Sequence, residues 1–241
     1  MSKFVETEYL NKKEILKFPD HYVALAVMVS DEGVDPNEDG KKIVPAGTIV
    51  GGKNAPVLEN LDEPVTDKNT PPAKATKEFT LYSSGGTTHK MTLTAKEPGT
   101  AGNSITFAMS KSTAASDDEV EVEVTSTAIV VKPVVSENVI TSTIGEIVEA
   151  INSDEDASAL VVASAPATAL DVAPNQDITA TALEDGSDGS ATGAEGVLLN
   201  DVDVTYGPAP GAMLLHGFVD LNKIPEPLAF GINLPMIAFI K

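Results

Sequence analysis

Acidic side chains supply the first candidates for chemistry. Asp35-Pro36-Asn37-Glu38-Asp39-Gly40 carries oxygen-bearing side chains at positions 1, 3 and 5 and a glycine at 6, the first half of a calcium loop. Position 12, which needs a bidentate Glu, is Ala46, and Pro36 intrudes, so the stretch reads as a solvated acidic turn. Asp185 to Asp188 offers a second set of oxygens in a Gly/Ser-rich run that reads as a flexible linker. Asp201 and Asp203 alternate along a strand-like run, where two carboxylates on one face could converge on a metal; a half-exposed edge strand has the same pattern. The three histidines, His21, His89 and His216, lack a metal-ligand spacing such as H-x-x-x-H. His216, beside Gly217, reads as a packing or interface residue. No G-x-S-x-G elbow is present, and Gly99-Thr100-Ala101-Gly102 lacks the Lys-Ser/Thr ending of a phosphate loop. No nucleophile, base and orienter assemble, so no enzyme is expected and no cofactor is implied.

The bulk composition narrows the function classes. The chain has 241 residues with no Cys, which removes disulfides and thiolate chemistry. All 16 basic residues are Lys and the net charge is −20, so direct binding of nucleic acid is not expected. Residues 1–20 show no secretory h-region, and the apolar run Leu228–Ile240 is short and broken by Gly231 and Pro235. The expectation is a soluble protein made in the cytoplasm, without membrane association.

The elements that would position these groups are mostly strands. Val, Ala and Thr are abundant, which favours sheets. Tyr22–Val29 reads as a strand, as do Val197–Thr205 and Met213–Leu221 on either side of a Gly207–Gly211 turn. Leu61–Thr76, rich in Pro, Asp and Thr, and Leu183–Glu195, rich in Gly, Ser and Asp, read as linkers. Between them lies a small alternating domain. Phe79 and Leu81 against Met91 and Leu93 predict a hairpin around Ser83–Thr87; further strands are predicted at Ser104–Met109, Val120–Val124, Ile129–Val135, Ala159–Ala163 and Ile178–Leu183. One helix is predicted from a Thr143/Glu146 capping box followed by Ile144, Ile147, Val148 and Ile151 on one face. Residues 1–20 form a mixed arm of apolar and charged residues.

Two stretches resemble bacteriophage head decoration proteins. Gly196–Thr205 (G-V-L-L-N-D-V-D-V-T) with Leu215–Pro225 (L-H-G-F-V-D-L-N-K-I-P) is similar to the closing strands of that family, and Val44–Gly52 (V-P-A-G-T-I-V-G-G) to its Pro-Ala-Gly turn and strand. The middle of the chain, through Thr94–Phe107, Ile144–Asn152 and Ala182–Gly189, is similar to a module found in phage virion proteins of heads and tails. The resemblance implies a mainly β (α+β) chain. A compact β-rich capsid-binding domain (21–70 with 191–241) would be interrupted by a small β-sandwich-like, outward-projecting domain with one helix (77–182), joined by linkers 61–76 and 183–195.

It also implies a structural virion protein on the outer capsid surface. That protein would bridge neighbouring major capsid subunits and form a homo-oligomer, a trimer being favoured. The arm residues Phe4, Val5, Tyr9, Leu10, Ile15 and Leu16 would make the capsid contact. A phage tail or surface adhesion module, binding calcium or glycan, is the alternative. For the resemblance to hold, the pieces near Val44 and Leu199 must belong to one body.

Overall fold

The computed structural model describes residues 14–115 and 118–241. The chain divides into two compact units: one runs to Pro71 and resumes at Gly189, and the other is Pro72–Asp188. Both are built mainly from strands.

The first unit begins with β1 (Val23–Val29), β2 (Ile43–Val44), β3 (Ile49–Gly52) and β4 (Val65–Asp67). The second contributes β5 (Thr76–Ser84) and β6 (Thr87–Ala95), joined through Gly85-Gly86 with φ of 57° and 84°. Two residues with positive φ are what a tight hairpin turn requires. β6 also pairs with β12 (Val161–Ser164), giving a three-stranded sheet. A four-stranded sheet in the order β13-β7-β9-β8 uses β7 (Thr106–Met109), β8 (Glu121–Thr125), β9 (Ala128–Lys132) and β13 (Ile178–Ala182). A small hairpin, β10 (Val135–Ser136) and β11 (Val139–Ile140), completes the strands of this unit.

The two sheets share one core. Leu81, Met91 and Leu93 from the first and Phe107, Met109, Ile129 and Val131 from the second are fully buried, and Phe79 meets Phe107 with ring centroids 4.8 Å apart. Helix α1 (Ile144–Ser153) adds Ile144, Ile147 and Ile151 to that core. Its capping box is formed: Thr143 N–H donates to Glu146 Oε2 at 2.7 Å and Glu146 N–H to Thr143 Oγ1 at 3.2 Å. Asn152 then ties the helix to β12, donating to the Ala163 carbonyl and accepting from its N–H, both at 2.9 Å. A second helix, α2 (Glu155–Leu160), follows at once and corrects the expectation of one. Asp154 both ends α1 and caps α2, accepting from Ala157 N–H at 2.8 Å, so Ala159 and Leu160 are helical rather than strand.

The chain returns to the first unit with β14 (Gly196–Leu198), β15 (Val202–Asp203), β16 (Ala209–Asp220) and β17 (Ile237–Ile240). The sheet runs β1-β4-β3-β14-β16, and β1 also pairs with β16, so five strands close into a small barrel with β17 extending it. Closure leaves fewer edges to protect. Consecutive residues in a strand point to opposite faces, and here both faces are covered. Val50, Leu198 and Met213 face one core with Val27, Val29 and Val65; their neighbours Ile49, Val197 and Leu214 face a second with Ile15, Leu16, Val219, Leu234 and Ile237. This two-sided burial is why these strands read as unbroken apolar runs.

Three expectations are corrected. Val197–Thr205 is not one strand. It breaks after Leu198, because Asp201 Oδ1 accepts the Ala46 N–H at 2.7 Å and turns the chain so that β15 pairs with β2. The Gly207–Gly211 turn is shorter than expected, since β16 starts at Ala209 and Pro210 pairs with Met28. The stretches read as linkers are ordered. In the first unit Val65 is buried, Thr70 and Ser190 exchange both backbone hydrogen bonds, and Glu195 accepts from the N–H groups of Gly52, Val57 and Leu58. In the second, Ala73 pairs with Ser187 and Thr76 with Glu184, while Ala75 and Leu183 are buried. Composition registers polarity but not hydrogen bonds to a distant segment.

Candidate interaction surface

The segment preceding β1 is a strap on the barrel. Lys17 N–H donates to the Phe218 carbonyl at 2.8 Å and Asp220 N–H to the Ile15 carbonyl at 2.9 Å, and Leu16 bridges to Val219. Ile15 and Leu16 are therefore core residues of the unit itself, which corrects their placement on a free docking arm. Phe4, Val5, Tyr9 and Leu10 lie outside the described residues.

After the strap the chain turns across β16 and leaves large side chains outside. Phe18 is 53 % exposed, Tyr22 45 %, Val23 56 %, and Met236 from the segment before β17 61 %. Phe18 stacks edge-on against Phe218 at 5.2 Å, and His21 against His216 at 5.1 Å with planes 73° apart. Gly217 makes this approach feasible: a Cβ there would press on Tyr22 Cβ and Leu214 Cδ1 at 3.3 Å. Asp20, His21, Tyr22, Val23, Leu215, His216 and Met236 line a shallow hollow of about 600 Å³. In a chain of net charge −20, this is an aromatic patch with few charges. Patches of this kind mark interaction sites on soluble proteins.

At its margin Asp220 Oδ1 accepts from Asn222 N–H and Nδ2, both at 3.0 Å, and Oδ2 from Lys17 Nζ at 3.4 Å. The backbone N–H of Asn222 is the main reason that the Asp220 carboxyl lies below its ordinary pKa, with Asn222 Nδ2 and Lys17 adding to it.

A separate acidic hollow of about 270 Å³ lies between β1, β3 and β4, lined by Ser30, Glu32, Asp35, Asp67, Asn69 and Glu226 among others. Desolvation raises the Asp67 pKa, opposed by the backbone N–H groups of Asn69 and Lys68. Two hydroxyls in its wall are committed locally, Ser30 Oγ accepting from Glu32 N–H and Thr48 Oγ1 donating to the Pro45 carbonyl.

In the acidic stretches singled out by sequence, Asn37, Asp188, Asp201 and Asp203 use side-chain oxygens on the chain itself. Asn37 Oδ1 accepts from the N–H groups of Asp39 and Lys41, closing the 35–40 turn. Asp188 receives Thr100 N–H at 2.8 Å and Thr100 Oγ1 at 2.9 Å at the start of a 3-10 turn, Thr100–Ser104, and Asn103 exchanges two hydrogen bonds with Gly186. Asp201 and Asp203 do not converge: Asp201 holds Ala46, and Asp203 holds Thr205 through its N–H and hydroxyl, which depresses the Asp203 pKa. Among the described residues no group of three or more His, Cys, Asp or Glu is placed to hold a metal. None of the described helices is long and apolar enough to cross a membrane.

Sequence reasoning missed the Phe18–Phe218 and His21–His216 pairs. The available signal was the run of bulky residues Phe18 to Val23 beside a glycine-containing strand.

No family model, no curated protein and no solved structure matches this chain.

Proposed function

We propose that the chain is a structural virion protein that binds the outer surface of a phage capsid and stabilises it by bridging neighbouring major capsid subunits. One observation carries this reading. The two stretches with decoration-protein character, far apart in sequence, lie side by side in one body: Val197 pairs with Ile49, Gly196 with Val50 and Val202 with Val44. The strap adds support, because it holds Ile15–Lys17 on the barrel next to the exposed aromatic patch. Repeated weak contacts across a symmetric lattice give avidity without one tight interface. A homo-oligomer, with a trimer favoured, fits the same lattice logic. The exposed aromatic patch around Phe18 and Met236 gives such contacts an apolar surface. In the two stretches that the tail or adhesion alternative would use as calcium loops, Asn37 and Asp188 spend side-chain oxygens on the chain itself.

The test is co-sedimentation and cryo-electron microscopy of the chain with expanded capsids of the phage that encodes it. The full chain should occupy symmetry-related sites on the shell. A truncation lacking residues 1–13 should fold but bind poorly, whereas one lacking residues 1–20 should also lose stability, because it removes Ile15 and Leu16. Absence of the full chain from the capsid surface would overturn the proposal.

A further inference from the structure

The sheet of the first unit ends at β17, and that edge is open. β17 runs parallel to β16, with Phe218 beside Ala238 and Val219 beside Phe239. Gly217 N–H donates to the Met236 carbonyl at 3.1 Å and Leu221 N–H to the Ile240 carbonyl at 2.8 Å. Backbone groups alternate in direction along a strand, so Ile237 and Phe239 turn theirs away from β16. Ile237 N–H is spent on the Leu234 carbonyl at 2.9 Å. Among the described residues, the Ile237 carbonyl and the Phe239 N–H and carbonyl have no hydrogen-bond partner. The second unit, by contrast, blocks the edges of its three-stranded sheet. Asn152 bonds to both backbone groups of Ala163 on β12, and Asn175 to both of Ser83 on β5. An edge left open is a template for pairing with another chain. Beside β17, His216, Phe218, Pro235, Met236 and Ala238 line a hollow of about 410 Å³, which shares His216 and Met236 with the hollow of the aromatic patch.

We propose that β17 is a strand-addition site: an extended segment of the major capsid subunit pairs with its open edge and sets an apolar side chain in the neighbouring hollow. This rests on the capsid reading above. In such pairing main-chain hydrogen bonds supply the affinity and side-chain pockets the specificity. Symmetry and charge select the occupant. Antiparallel pairing of two copies of β17 is a two-fold contact, which the trimer favoured above does not contain. A net charge of −20, with Asp20 at the rim of the adjoining hollow, selects a neutral or basic segment over an acidic one.

The experiment is amide hydrogen exchange of the full chain, free and bound to expanded capsids, read residue by residue. In the free chain the Phe239 amide should exchange fast, between the slow amides of Ala238 and Ile240. On the shell it should slow by about tenfold or more. Phe239→Pro removes the outward N–H, whereas Phe239→Ala keeps it and loses the same ring. F239P should therefore bind shells at least about fivefold more weakly than F239A, because an acceptor left unpaired in a contact costs that much. Exchange in the parent decides the matter even if F239P is destabilised. A bound chain whose Phe239 amide stays fast overturns the strand-addition site and leaves the capsid reading standing; a full chain that does not bind shells overturns both. Phe239 protection that grows with concentration in the free chain assigns the edge to a second copy and overturns the proposed occupant.

Discussion

The two units differ in where they put their large side chains. The Pro72–Asp188 unit buries its phenylalanines, Phe79 and Phe107, in a single core between two sheets, and its exposed large apolar residues are Val139, Val162 and Leu170. The barrel unit fills its cores with Val, Ile, Leu and Met and leaves Phe18, Tyr22, Tyr206 and Phe230 more than 40 % exposed. Aromatic side chains bury large areas and are enriched where proteins meet. One unit is thus self-sufficient, and the other carries unspent apolar surface, as a docking body would.

The harshest test of this contrast lies in the self-sufficient core. Phe107→Ala removes a fully buried ring and should cost about 3–5 kcal/mol by chemical denaturation. A loss below about 1 kcal/mol would mean that the core does not depend on its aromatic pair. Next comes the strap of the barrel unit, where neighbouring residues should behave oppositely. Leu16→Ala, at a buried position, should cost about 2–5 kcal/mol, whereas Phe18→Ala, exposed and held by one edge-on ring contact, should cost about 1 kcal/mol or less. Equal losses would erase the distinction between strap and patch.

A smaller effect is expected at the start of α1. Thr143→Ala removes one half of the capping box and should lower stability by about 0.5–2 kcal/mol, with Thr143→Ser restoring it.

The smallest effects are electrostatic and of opposite sign. The folded-state pKa of Asp220 is depressed, so its contribution is present above the ordinary carboxylate value of about 3.9 and is lost as pH falls through the lowered folded value. The stability gap between the parent and Asp220→Asn should therefore narrow on acidification. Asp67 has a raised folded pKa, so its contribution is full below the ordinary value and is lost as pH rises through the raised one. Asp67→Asn keeps an acceptor for Asn69 N–H and should gain on the parent between acid and neutral pH. Denaturation midpoints of the two variants from pH 3 to 7 check both signs, and parallel profiles would refute them.

The sequence alone determined what local rules control. Alternation in Phe79–Leu81 and Met91–Leu93 gave the hairpin, the Gly85-Gly86 pair its turn, and Thr143 with Glu146 the start of α1, because these depend on residues a few positions apart. The mainly β class followed from the same signals. Tertiary structure decided the rest. Polar stretches that looked like linkers became ordered through distant partners such as Glu195 with Gly52. Asp201 broke a strand by reaching Ala46. Ile15 and Leu16 went inside while Phe18 stayed outside, although local pattern does not separate them. His21 and His216 came together only because β1 pairs with β16, a register set by core packing on both faces of the barrel wall and invisible to any spacing along the chain.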